Sequence, residues 1–154
     1  MLRAQLPGLE RRRPTRNRPL PGALDSRDRD ALLAEVGAML NAAQAARLWG
    51  IYGGAARRIA ELARSEPELA TTIGASATLV AELVYAREVE WAVTLDDILQ
   101  RRCMAGLGSD FGLGAAEPAV TWLVRLGAWD KARAKSELAD YRARAARQRA
   151  LPAG

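Results

Sequence analysis

Glycines at 106, 108, 112 and 114 crowd one short stretch, Ala105 to Gly114. Such loops cradle phosphates when their amides converge at a helix start. A dinucleotide fingerprint also needs a preceding strand and the spacing G-x-G-x-x-G. Here the preceding pattern is helical and the spacing differs, so an inter-helix loop is expected. Glu88, Glu90, Asp96 and Asp97 supply carboxylates for paired acid–base work. Asp96 and Asp97 are adjacent on a helix and point in different directions, which spoils that pairing. Cys103 is the sole cysteine. A nucleophilic thiolate favours a helix N-terminus, whereas Cys103 falls at a helix end beside Arg101 and Arg102, and reads as structural.

The rest of the composition narrows the chemistry further. Histidine is absent from all 154 residues, which removes Ser-His-Asp and Cys-His machinery and the usual base near neutral pH. One cysteine permits neither an internal disulfide nor a cysteine-rich zinc site. Hydrophobic residues make up 49% and charged residues 27%, as in an ordinary globular protein. At this length one domain with a short arm is expected.

The net charge of +5 is unevenly spread. Residues 1–30 carry eight Arg against four acids, and 131–154 carry seven basic residues against two acids. Residues 31–130 carry eight basic residues against twelve acids. Arg11–Arg13 and the tail Arg142, Arg144, Arg147 and Arg149 are therefore the places where phosphates would be met. No aromatic residue is interleaved for base stacking, and Arg144 and Arg147 fan away from Arg142 and Arg149. A solvated, partly frayed terminal helix is expected, and nucleic acid is not an expected partner. The longest stretch free of charge, Leu69 to Ala81, has 13 residues, too few for a spanning helix of about 20. No apolar stretch follows the early arginines, as an export signal requires. A cytoplasmic location is expected, with peripheral contact at the inner face of the cytoplasmic membrane left open.

Punctuation and periodicity give an all-α reading: about six or seven short helices over 24–150, behind an extended Pro/Arg-rich leader at 1–23. Ser26 or Asp28 caps a first helix to about Leu40, and Asn41 to Ile51 continues until Gly53-Gly54. Ala55 to Arg64 follows and breaks at Pro67. Ala77 to Glu90 has the broadest apolar face. Thr94 to Asp97 reads as a capping box, and Thr94, Asp97, Arg101 and Arg102 mark the start and end of a helix reaching about Cys103. Glu90 is expected to be buried and paired with Arg101 or Arg102. Pro118 starts the next helix, and Asp130 caps the last, to about Arg149. Trp49, Trp91, Trp122 and Trp129 read, with the tyrosines, as core or interface anchors.

The segment from Glu82 to Arg102 resembles the signature of the C-terminal domain of FAD-dependent glycerol-3-phosphate dehydrogenases and alpha-glycerophosphate oxidases. Glu90, Ala92, Thr94, Leu95, Asp97, Leu99, Arg101 and Arg102 match its pattern E-x-A-x-T-L-x-D-x-L-x-R-R-T, and Cys103 departs from the final threonine. Tyr52-Gly53, Pro19 to Gly22 and Gly127 to Tyr141 resemble further parts, with Ala128 inserted before Trp129. The resemblance spans about 16–146. It implies a helical domain that packs on a larger flavin domain, in cis or in trans, which holds FAD and oxidises glycerol 3-phosphate to dihydroxyacetone phosphate. No catalytic, cofactor-binding or metal residue carries over to this chain. A free-standing module binding nucleic acid or anionic membrane through its basic ends is the rival reading, and self-association through an uncovered apolar face is a further expectation.

Overall fold

The computed structural model describes residues 25–150. The leader at 1–23 lies outside them. Six α-helices make up the described part: α1 Ser26–Met39, α2 Ala42–Tyr52, α3 Ala56–Ser65, α4 Val80–Glu88, α5 Leu113–Arg125 and α6 Lys131–Arg149. A π-helix, Asp97–Arg102, stands between α4 and α5. Among the described residues there is no strand, only an isolated bridge between Thr72 and Leu79.

Three of the six helix starts follow from side-chain caps. Asp25, rather than Ser26 or Asp28, caps α1 by accepting from the Asp28 amide at 2.8 Å. Asn41 does not continue α1. It opens α2 as a separate helix, its side chain accepting from the Gln44 amide at 2.9 Å. Gly53, at φ +55°, ends α2, because glycine enters the left-handed region without the Cβ clash. Pro67 begins a short 3-10 turn after α3. Asp130 caps α6 through the Arg133 amide at 2.7 Å.

Two boundaries differ from those the sequence suggests. α4 starts at Val80 and not Ala77, because residues 73–78 form a tight turn in which the Ile73 amide donates to the Thr78 carbonyl. α5 starts at Leu113, so Pro118 lies inside it. The proline removes the amide that would bond the Gly114 carbonyl. Gly74 packs against that freed carbonyl: a Cβ on Gly74 would stand 2.5 Å from the oxygen.

α4 is central. Val80, Ala81, Leu83, Tyr85 and Ala86 are buried on several of its sides, and it packs on α3, α5 and the π-helix. α1 covers α2 and α3, and α6 lies along α5. Leu32, Val36, Leu48, Ile59, Leu95, Ile98, Leu99 and Leu123 close the core between them. Burying side chains of this size stabilises by roughly 1.5–3 kcal/mol each before the entropy cost of ordering them.

The signature segment and its supports

The residues from Glu90 to Cys103 form a turn and the π-helix, held from three directions. The Asp97 amide donates to the Thr94 hydroxyl at 3.1 Å, and the Thr94 amide donates back to Asp97 Oδ2 at 3.0 Å. The Thr94 hydroxyl also donates to that oxygen, at 2.9 Å. These bonds, the Thr94 amide first, hold the Asp97 carboxyl below its ordinary value. α6 supplies the second support. Glu137 accepts from the Leu95 amide at 2.8 Å, and Arg133 donates to the Val93 carbonyl at 2.6 Å while lying over the Trp129 ring. Arg144, stacked on Tyr141, pairs with Asp96. The third support is the core, which takes Leu95, Ile98, Leu99 and Cys103.

The expected helix to Cys103 forms, but with π geometry: the Cys103 amide reaches the Ile98 carbonyl at 2.9 Å. Gln100 thereby reaches the Gly106 carbonyl and the Tyr141 hydroxyl, each at 3.0 Å. Arg101 pairs with Asp97, one helical turn back, and with Asp96. The expected pair between Glu90 and Arg101 or Arg102 does not form. Among the described residues Glu90 Oε2 is buried without a hydrogen-bond partner. Burial raises the Glu90 carboxyl above its ordinary value, and Arg102 only partly opposes this. Arg102 is exposed.

Two results follow from the capping geometry. Thr94→Val removes an acceptor and a donor, and the fold is expected to lose about 1 kcal/mol in a thermal melt. An unchanged melting curve would show the cap to be idle. Because the folded Asp97 carboxyl is held low, the unfolded chain takes up its proton first. The stabilisation is complete above about pH 5 and fades as pH falls through about 3.9 and below. Asp97→Asn is expected to flatten that part of the stability–pH curve. An identical slope in both proteins would assign the acid sensitivity elsewhere.

Sequence reasoning missed the most buried charge. Glu82, on α4, is 0% exposed. Arg47 on α2 binds both its oxygens, Tyr52 donates to it at 3.0 Å, and the Leu79 amide donates at 2.7 Å. Burial pushes its carboxyl upward, against the pull of Arg47. The available signal was position: 79, 82, 83 and 86 share one helical face, so Glu82 interrupts an apolar stripe.

The remaining candidates have structural partners. The glycine stretch is a 3-10 turn, Ala105–Leu107, and a run of turns into α5. Its Gly112 and Gly114 amides, those that would meet a phosphate, donate to the Asp110 carboxylate at 2.9 and 2.8 Å. An ionised carboxylate thus fills the anion position. Cys103 is buried, and burial pushes its thiol up to about 12. A thiol so raised stays protonated near neutral pH. The terminal arginines are not simply solvated. Arg142 pairs with Glu117 at 2.8 Å, Arg144 with Asp96, and Arg149 lies over the Phe111 ring. No group of three or more metal-ligating side chains assembles among the described residues, and no helix there is long and apolar enough to cross a membrane.

Comparison with curated proteins and with solved structures gave no match. The family described as the C-terminal domain of alpha-glycerophosphate oxidase matches residues 13–134. That range takes in α1 to α5, the π-helix and the first residues of α6. A chain matched over so much of its length, with an all-helical fold, belongs to the family of the C-terminal domain of alpha-glycerophosphate oxidase.

Proposed function

We propose that this chain is a non-catalytic helical domain that supports the oxidation of glycerol 3-phosphate to dihydroxyacetone phosphate by a flavin-binding domain, joined to it in cis or in trans. The match over residues 13–134 carries this reading. Its role is structural: a rigid body whose signature segment is fixed by Asp97, Glu137 and Arg133. FAD would accept the two electrons leaving the secondary alcohol. The residues described here do not fit that cofactor, because the glycine amides that would take its phosphates are bound by Asp110. No step of the reaction is therefore assigned to this chain.

The test mixes the purified chain with the flavin-binding part of an alpha-glycerophosphate oxidase, made without its own C-terminal domain. The chain alone is expected to leave glycerol 3-phosphate unchanged. A complex is expected on size-exclusion chromatography, with a higher melting temperature for the flavin-binding part. Turnover by the chain alone, or no complex at high micromolar concentration, would overturn the reading.

A further inference from the structure

α6 is the longest helix among the described residues, yet few of its side chains reach the core. Of its 19 residues only Ala134, Tyr141 and Ala145 are buried, and two of these are alanines. Leu138 adds a partly buried contact. α4, with 9 residues, buries six. Hydrophobic gain follows the apolar area removed from water, so α6 draws little of its hold from that source. The large buried side chains of the core, Leu32, Val36, Leu48, Ile59, Leu83, Ile98, Leu99 and Leu123, all come from α1 to α5 and the π-helix.

What holds α6 is mostly polar, and it reaches two places. On α5, Arg142 pairs with Glu117 at 2.8 Å, and both side chains are more than half exposed. On the signature segment, Glu137 accepts from the Leu95 amide, Arg133 donates to the Val93 carbonyl and Arg144 pairs with Asp96. Exposed ion pairs are weak, and salt screens them. Tyr141 is the one large side chain that α6 sinks into the fold. Its hydroxyl donates to the Phe111 carbonyl at 2.8 Å and accepts from Gln100 at 3.0 Å. Segments with few apolar contacts and many exposed polar ones open separately, below the free energy of global unfolding.

We propose that α6 is a detachable strap over the signature segment: it opens as one unit while α1 to α5 stay folded, and ionic strength sets how often it opens. Closed, it clamps residues 93–100 from outside. Open, it frees the Leu95 amide, the Val93 carbonyl, Asp96 and Gln100 together. The cap between Thr94 and Asp97 lies within the segment itself, so the π-helix keeps its start and loses its outer support. The device does not depend on a flavin-binding partner.

Hydrogen exchange of the full chain, followed amide by amide by NMR, is the test. The amides of residues 137–145 are expected to exchange as one group, about 100-fold faster than those of Tyr85 and Ala86 in α4. The Leu95 amide, whose acceptor is Glu137, is expected to exchange with the α6 group although Leu95 itself is buried. Raising salt from about 0.1 M to about 1 M shortens the screening length from about 10 Å to about 3 Å. The ratio of α6 to α4 rates should then widen roughly 10-fold. Tyr141→Phe keeps the ring and drops both hydroxyl bonds, and it should speed α6 and Leu95 alike by roughly 5-fold. Exchange of α6 and α4 at one common rate would overturn the proposal, because α6 would then open only when the whole chain unfolds. A Leu95 amide that stays with α4 would reduce the motion to fraying and overturn it too. A rate ratio indifferent to salt would overturn the ionic control.

Discussion

Glu82→Leu is expected to lower the stability of the fold by about 3 kcal/mol, the lower part of the range for breaking a buried ion pair. Four donors converge on the Glu82 carboxylate: two from Arg47, the Tyr52 hydroxyl and the Leu79 amide. Leucine fits the space but accepts nothing. It leaves the Arg47 guanidinium, 21% exposed, beside apolar neighbours. That small exposure gives Arg47 some access to water, which is why the lower end of the range applies. The melting temperature is expected to fall by about 10 °C. Glu82→Gln keeps an acceptor for Leu79 and Tyr52 and should cost less. Pairing Glu82→Leu with Arg47→Met removes both charges and should recover much of the loss. Denaturant unfolding of the four proteins checks this. A double variant no better than Glu82→Leu alone would show that packing, and not charge, dominates.

Gly112→Ala is expected to cost about 3 kcal/mol, the sum of left-handed strain and overpacking. Gly112 sits at φ +71°, and a Cβ there would stand 2.6 Å from the Tyr141 hydroxyl and 2.8 Å from the Gly106 Cα. Backbone on one side cannot yield. On the other, Tyr141 is committed, donating to the Phe111 carbonyl at 2.8 Å and accepting from Gln100. Moving the ring therefore disturbs the π-helix as well as α6. Gly50 makes the control. It lies inside α2 with open space where its Cβ would go, so Gly50→Ala should stabilise by about 0.5–1 kcal/mol. Thermal melts of both variants decide the matter. Equal melting temperatures would mean the glycine turn gives way more easily than its contacts suggest.

These two sites also mark where sequence reading reaches its range. Thr94 with Asp97, Asp130, Gly53 and Pro67 are legible because each acts within about four residues of itself. Pro118 misleads for the opposite reason. Its place inside α5 depends on Gly74, forty-four residues earlier, lying against the carbonyl that the proline leaves free. Glu82 goes unnoticed within the helix of broadest apolar face because its partner Arg47 stands on another helix, 35 residues away. Glu90 errs the other way: Arg102 is near in sequence, yet the π-helix presents it to solvent. The arginines of the tail look like a solvated run until α5, the N-cap of the π-helix and the glycine turn supply Glu117, Asp96 and Phe111 as partners.

The length of α6 bears on how such a domain should be cut for expression or grafting. The family match stops at residue 134, only a few residues into α6. Yet Tyr141 and Ala145 are buried beyond that point, and Glu137, Tyr141 and Arg144 hold the signature segment in place. A gene fragment ended where the family match ends would lose its own clamp. The practical terminus lies past Arg149, at the end of α6.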